Sequence, residues 1–462
     1  MKANHLLTTP LAERLYFEVA EPLPLIDYHN HLPVGEIASH RPVDLTGLWL
    51  RADPYKHRAM RICGVGEALI TGDADPFDTF KAWCAVLPQL FGNPLYDWSA
   101  LELARVFQID WPLSPATAEK TWQAAGEQLA DPSFTAQNLL RRFRVRYAAP
   151  CAALNDDLGP FAGLQAVAPS FRGDDLLDLT PQTIRRLEHV TAVPVDSLAA
   201  LGAALEKRLK SFHERGCRFA DHALDNGFHY CGDDGRNEER LHRLLADGRL
   251  EPADAACLDS AVLRLAGSAY ARLGWVMQLH LGALRQTSSR LRRIAGPAGG
   301  YAGIGRVSPS ELVALLDGIE QGEAGLPRTV LFCSHPEDSA ALAVLGGSFS
   351  QDGVRGKVQL GPPWWWCDHL SGMRSFFETI SAYGVLSVSI GMTTDSRSFL
   401  SLVRHEYFRR TFCGWLGEKA ASGVFANDFA ALAQLVTAVC FGNAAAILAE
   451  SGLVLPPESE PS

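Results

Sequence analysis

Two histidines spaced one residue apart, His29 and His31, end a short apolar run in PLIDYHNHLP, residues 24–33. In an extended chain, residues i and i+2 point to the same face, so both imidazoles can reach one ion at the mouth of a cavity. Further chemically able side chains follow other apolar runs: Asp221 and His222 after CRFA, His280 at the end of WVMQLH, His335 after TVLFCS, and Asp395 after GMTT. Two or three imidazoles with one carboxylate suit Zn²⁺ or another divalent first-row ion, with a coordination position left for substrate. An isolated His-x-His pair says little, because binding needs convergence from distant parts of the chain.

Convergence depends on the elements that carry these residues. Eight stretches read as short buried strands: 24–29, 143–149, 164–170, 217–223, 275–280, 329–334, 357–361 and 385–392. Helical patterns separate most of them, as in 197–216, 260–274 and 310–322. Strand–helix alternation predicts a parallel sheet covered by helices, and eight such units predict an α/β fold of the (β/α)8 TIM-barrel type. In that fold the C-terminal strand ends face the active site, where the histidines and aspartates stand. One connection is unusually long. Residues 34–140 carry several helical patterns and read as an inserted helical subdomain over the barrel mouth. The expected division is therefore 1–33 with the first strand, 34–140 as the insertion, 141–452 as the rest of the barrel, and 453–462 as a frayed tail.

Composition sets outer bounds. The chain has 462 residues, 47% hydrophobic and 20% charged, and a formal net charge of −10. That balance argues against nucleic acid or an anionic membrane as partner. The N-terminal twenty residues lack the apolar core of a signal peptide, and no apolar stretch reads as long enough to span a bilayer. The ten cysteines are scattered without a CxxC pair, so they read as reduced thiols in the cytoplasm, with neither a disulfide framework nor a structural zinc site.

The combination of HxH on the first strand, a histidine ending the fifth and an aspartate ending the eighth resembles the amidohydrolase superfamily. Longer stretches narrow the likeness: YKHRAMRICGV (55–65), NPLYDWSALEL (93–103), FHERGCRFADHALD (212–225), GWVMQLHLGALR (274–285), GKVQLGPPWWWCDHLSGM (356–373) and GMTTDSRSFLSLVRHEYFRR (391–410) are similar to uronate isomerases, in the same order. The resemblance implies a homo-oligomeric enzyme that interconverts an aldouronate and a ketouronate: D-glucuronate with D-fructuronate, or D-galacturonate with D-tagaturonate. Its partner would be a small sugar acid. It implies a divalent metal, Zn²⁺ first and Mn²⁺ or Fe²⁺ as alternatives, held by His29, His31, Asp395 and His280. It further implies Arg172, Arg397, Trp364 and Tyr55 at the substrate, with Asp395, Tyr55, Arg397 and His31 as the catalytic set.

Moving a carbonyl from C1 to C2 needs a proton taken from C2 and delivered to C1 through a cis-enediol, with positive charge near the developing enediolate. Arginine suits the substrate carboxylate through forked hydrogen bonds. Some positions depart from the family pattern. Pro54 stands where a histidine precedes the tyrosine, His57 replaces a tryptophan, and CAALNDD (151–157) replaces the TTDDP stretch. The other readings are a metal-dependent hydrolase, lyase or epimerase of the same superfamily, and a non-catalytic barrel that binds a sugar acid.

Overall fold

Seven of the eight expected strands form in this computed structural model, which describes residues 3–39, 44–285, 287–296 and 300–457. They are β1 (Leu25–Asn30), β2 (Val145–Ala153), β3 (Ser170–Arg172), β4 (Phe219–Leu224), β5 (Val276–Leu281), β6 (Arg328–Cys333) and β7 (Val358–Leu360). Each pairs in parallel with the next in sequence order, so the sheet curls in one direction. Helices such as Leu198–Glu214, Pro252–Leu273 and Pro309–Glu320 cover its outer face with leucines at helical spacing. The parallel order and the outer helices are those of a (β/α)8 barrel. The third strand begins later than expected. Of the 164–170 run, only Ser170 belongs to it, and Val167 makes an isolated bridge to Ala148.

The eighth strand, expected at 385–392, is not a strand. Leu386–Val388 makes one 3₁₀ turn, and the chain then runs without a ladder to Ser396. Gly391 sits at φ +80°, and a Cβ there would come within 2.0 Å of the Val439 carbonyl oxygen, so regular pairing is lost at that point. Scattered hydrogen bonds close the ring instead. The Tyr28 hydroxyl donates to Gly391 O (2.8 Å), Asp395 N–H to His29 O (3.1 Å), and His31 N–H to Ser396 O (2.8 Å). On the other side, Ile390 N–H donates to the Gln359 side-chain oxygen on β7 (2.8 Å).

The connection between β1 and β2 is helical, with described helices at Val34–Ser39, Leu45–Trp49, Pro54–Ile62, Pro76–Val86, Pro94–Val106, Ala118–Leu129 and Ala136–Arg142. Three of them start alike, at Asp53-Pro54, Asp75-Pro76 and Asn93-Pro94. The Asx side chain accepts from backbone N–H groups of the first turn, and the proline occupies a position whose N–H has no helical partner. Their buried faces, with Trp49, Phe80, Trp83 and Trp98, merge with the outer apolar layer of the barrel in one cluster. Lys56 is buried between Asp53 (2.9 Å) and Glu102 (3.5 Å). Arg404, on the helix Val403–Ala421, lies 3.8 Å from Asp53 and 3.6 Å from Asp368, tying the helical connection to the helix that follows the closing segment.

Two expectations are corrected. Cys231 and Cys257 form a disulfide, because the loop after β4 folds back on the helix Pro252–Leu273 and brings their Cα atoms to 4.8 Å. The other eight cysteines are free. The helical segment Phe429–Glu450 is long and apolar enough to cross a bilayer by length and composition, with a mean hydropathy of 1.8. Its apolarity is spread over many alanines, and Leu432, Val436, Val439 and Leu448 turn inward onto the protein. Of the expected frayed tail, residues 458–462 lie outside the described residues, and Leu453 and Leu455 pack against the inner apolar cluster.

Candidate active site

A cavity of about 440 Å³ opens where the strands end, bordered by His29, His31, Arg172, His280, Trp364, Asp395 and Arg397. Seven of the eight residues expected at the site therefore share one space. The eighth, Tyr55, stands behind this wall. Its hydroxyl donates to Asp368 Oδ1 (3.0 Å) and accepts from Trp366 N–H (3.2 Å), while its ring packs edge-on against Trp98 and Trp366.

β1 breaks register with β2 between Asp27 and Asn30. Such a bulge re-aims side chains beside a site. Here Tyr28 joins the inner apolar cluster while the next residue, His29, still reaches the barrel centre, 4.6 Å from the His280 ring. His31 lies one residue past the strand. Both histidines turn Nε2 toward one oxygen, Asp395 Oδ1, at 3.3 Å for His29 and 3.1 Å for His31. The other oxygen of Asp395 accepts from the Trp364 indole N–H at 2.7 Å. Asp395 itself sits at φ +47°, a left-handed conformation that aspartate tolerates better than most residues.

Behind this triad lies a second polar layer. Asp221, fully buried on β4, faces His29 Nδ1 at 3.8 Å, His280 Nδ1 at 3.7 Å and Arg172 at 3.4 Å. Burial and the neighbouring Cys151 push its carboxyl up to about 7. His222 points the other way, as strand alternation requires, with its ring nitrogens at Gly173 O (3.2 Å) and the Tyr270 hydroxyl (2.9 Å). The His280 ring is held between Trp364 and Phe332, and burial with nearby His29 keeps it neutral, well below the usual histidine range.

The donor set fits a cation. Buried His280 Nε2 lacks a hydrogen-bond partner among the described residues, and His29 Nε2, 3.3 Å from Asp395 Oδ1, is not aligned to hydrogen-bond with it. Burial disfavours charge on His29, yet Cys151, Asp221 and Asp395 together raise it well above its ordinary value. For Asp395 burial is outweighed by the two histidines, which hold its carboxyl well below the carboxylate range. Two imidazoles and a carboxylate converging on one point, with neutral His280 beside them, form a ligand set that fits a divalent ion, which would displace the proton from His29.

Beneath the site, Asp27 braces the two segments that carry it. Its carboxylate accepts from Thr393 Oγ1 (2.9 Å), Thr394 N–H (2.7 Å), Thr394 Oγ1 (2.8 Å) and the Asn30 amide (3.0 Å), and faces His405 Nε2 at 3.3 Å. Burial opposes this charge, but His405 and Thr394 keep the carboxyl below its ordinary value.

The two expected arginines differ. Arg172 is engaged by Asp174 (2.6 Å) and Asp221 (3.4 Å), whereas Arg397 borders the cavity with no ion pair recorded among the described residues. Cavity residues that were not read from sequence include Arg51, Arg285 and Tyr301. Arg285 pairs with Asp225 at 2.8 Å and lies over the Trp365 ring; its position in the QLHLGALR stretch was the available signal. Pro54 and His57 also border the cavity, and the His57 ring is fixed by Leu50 O at 2.9 Å. His335 is absent from the cavity wall; its Nδ1 lies 3.4 Å from Arg306.

Comparison with known proteins agrees with the resemblance. Residues 1–448 match the glucuronate isomerase family. A uronate isomerase of Vibrio vulnificus is 40% identical over 456 residues, covering 96% of this chain and 97% of the relative. One of Salmonella paratyphi B is also 40% identical, over 96% and 98% of the two chains. The crystal structure of uronate isomerase from Thermotoga maritima superposes with a TM-score of 0.89 at 27% identity, covering 97% of this chain and 99% of that one. These likenesses span the helical connection as well as the barrel, and they favour the isomerase over the hydrolase, lyase, epimerase and non-catalytic readings. By sequence and by fold, this chain belongs to the glucuronate isomerase family.

Proposed function

We propose that the cavity binds an open-chain hexuronate and isomerises it between aldose and ketose, with His29, His31 and Asp395 holding a divalent ion, Zn²⁺ before Mn²⁺ or Fe²⁺. The observation that carries the assignment is the approach of two imidazole Nε2 atoms to one Asp395 oxygen on the cavity wall. A divalent ion there would supply positive charge opposite the enediolate and help fix the open-chain form.

The remaining roles fall to the chain's own residues. Arg397, free of acidic partners among the described residues, takes the substrate carboxylate through a forked pair of hydrogen bonds. Trp364 orients Asp395 through its indole N–H and, with Trp365, keeps water from the reacting carbons. Asp395, the carboxylate on the cavity surface, carries the proton between C2 and C1. Arg172 acts from one layer back, holding Asp221 beneath His29 and His280. His280 serves as a neutral ligand or as the donor that orients one. Tyr55 supports the tryptophan wall from behind. Residues 34–140 act as a unit covering the mouth, and the enzyme works in the cytoplasm as a homo-oligomer.

The test is incubation with D-glucuronate and with D-galacturonate in D₂O, followed by NMR, with and without added Zn²⁺ or Mn²⁺. Ketouronate formation with deuterium exchange, lost in His31→Ala and Asp395→Ala, is the expected result and identifies the preferred epimer. A folded, metal-loaded protein that turns over neither sugar would refute the assignment.

A further inference from the structure

Cys151 has no part in the reading above, yet it stands at the metal triad. It lies on β2, the strand beside β1, and its sulfur is 3.6 Å from His29 Nδ1 and 3.6 Å from Asp221 Oδ1. One donor atom from each of His29, His31 and Cys151 lies within 4.8 Å of the other two. Among the described residues, no other free cysteine shares such a group with two histidines. The 3.6 Å contact is to His29 Nδ1, whereas His29 Nε2 faces Asp395. The group of three within 4.8 Å must therefore draw in to the spacing of about 3.5 Å that sulfur and nitrogen ligands keep on one zinc ion.

We infer that Cys151 is a protein ligand of the divalent ion, alongside His29, His31 and Asp395. The inference rests on the metal site proposed above and adds a sulfur donor to it. As the ion binds, the Cys151 S–H bond breaks, its proton leaves to solvent, and the sulfur lone pair forms the bond to the metal. Thiolate and carboxylate then balance the two positive charges of the ion. Sulfur is a soft donor, so the site prefers Zn²⁺ or Co²⁺ over Mn²⁺ and Mg²⁺ more strongly than an all-nitrogen-and-oxygen set would.

Cobalt reports this directly, without reference to turnover. The purified full-length chain is loaded with one equivalent of Co²⁺, and near-ultraviolet and visible spectra are recorded for the wild type, Cys151→Ser and His31→Ala. The wild type should show a sulfur-to-cobalt charge-transfer band in the near ultraviolet together with visible ligand-field bands. Cys151→Ser should keep the ligand-field bands and lose the charge-transfer band. Its affinity for Zn²⁺, read by competition dialysis, should fall by at least the roughly 10–100-fold that loss of an outer-shell partner costs, and its affinity for Mn²⁺ by less. In parallel, bound Zn²⁺ should protect Cys151 of the wild type from iodoacetamide, read on its own peptide by mass spectrometry, so a poorly folding variant does not decide the matter. Ligand-field bands in the wild type without the charge-transfer band would overturn the inference and leave Cys151 as a hydrogen-bond partner of His29, with the metal site intact. A folded wild type that binds no cobalt, and no more than His31→Ala does, would overturn the metal site and this inference together.

Discussion

Replacing Asp27 by asparagine tests whether the brace beneath the site holds the Asp395 loop against β1. The fold is left otherwise alone, because the two side chains have the same shape. Asparagine keeps one acceptor oxygen. That oxygen must stay opposite Thr394 N–H, a backbone donor that cannot turn away (2.7 Å). The new amide then faces the Thr394 hydroxyl and the Asn30 amide, at the positions of the present 2.8 Å and 3.0 Å contacts. The hydroxyl can rotate to accept; the Asn30 amide meets a second donor. One orphaned buried donor and the lost charge opposite His405 together cost about 2 kcal/mol. If that cost falls on the docked loop, about 2 kcal/mol corresponds to roughly thirtyfold faster amide exchange in residues 390–398. Hydrogen–deuterium exchange with peptide mapping measures this, and exchange in β4 and β5 serves as the internal control. Unchanged exchange in 390–398, or an equal rise in β4 and β5, would refute the reasoning.

Other substitutions separate the roles of the site residues. Asp395→Ala and His31→Ala should each drop bound metal from about one per chain toward none, as losing one of few ligands requires, read by elemental analysis after dialysis. Arg397→Lys should raise KM about tenfold by losing one charge-assisted hydrogen bond and leave the melting temperature unchanged, whereas Arg172→Lys should also lower the melting temperature, since Asp174 and Asp221 depend on it. Away from the site, burial and Asp178 push the Asp259 carboxyl up to about 7. A raised folded-state value means that its stabilising effect is present below the ordinary carboxylate range and is lost as pH rises through about 7. Asp259→Asn should therefore melt higher than the wild type at pH ~8, by an amount on the order of 2 kcal/mol, and alike at pH ~4, measured by thermal scans at both values.

What could be read in advance tracks how local each physical signal is. His29 and His31 were legible because two-residue spacing at a strand end is a local rule, and His280 because strand ends define the barrel mouth. Asp395 was placed there by a strand that does not form, and reaches the cavity on the irregular segment that closes the ring instead. The register break in β1 left no such mark. Neither did the irregular eighth segment: VLSVSIGM has strand composition, but Gly391 in a left-handed conformation and side-chain bonds from Tyr28 and Gln359 replace its ladder. Cys151 was passed over because β2 runs on past the expected end at 149, which places its sulfur at the triad. Cys231 and Cys257, 26 residues apart, meet only through the fold of the loop after β4. Arg172 and Arg397 look equivalent as residues; their difference lies in Asp174 and Asp221, which one has and the other lacks.

The brace at Asp27 also sets when the site can exist during synthesis. Its partners Thr393, Thr394 and His405 lie 366 to 378 residues downstream of it. A nascent chain exposes His29 and His31 early, but the carboxylate they face and the helix that locks it follow several hundred residues later. At ~5–20 residues per second, the two histidines wait on the order of 20–70 seconds on the ribosome without their third partner. Through most of that time β1 has β2 beside it, but the two imidazoles face no carboxylate from the closing segment. The proposed site is thus completed only when residues 393–405, from the far end of the barrel, have docked against β1.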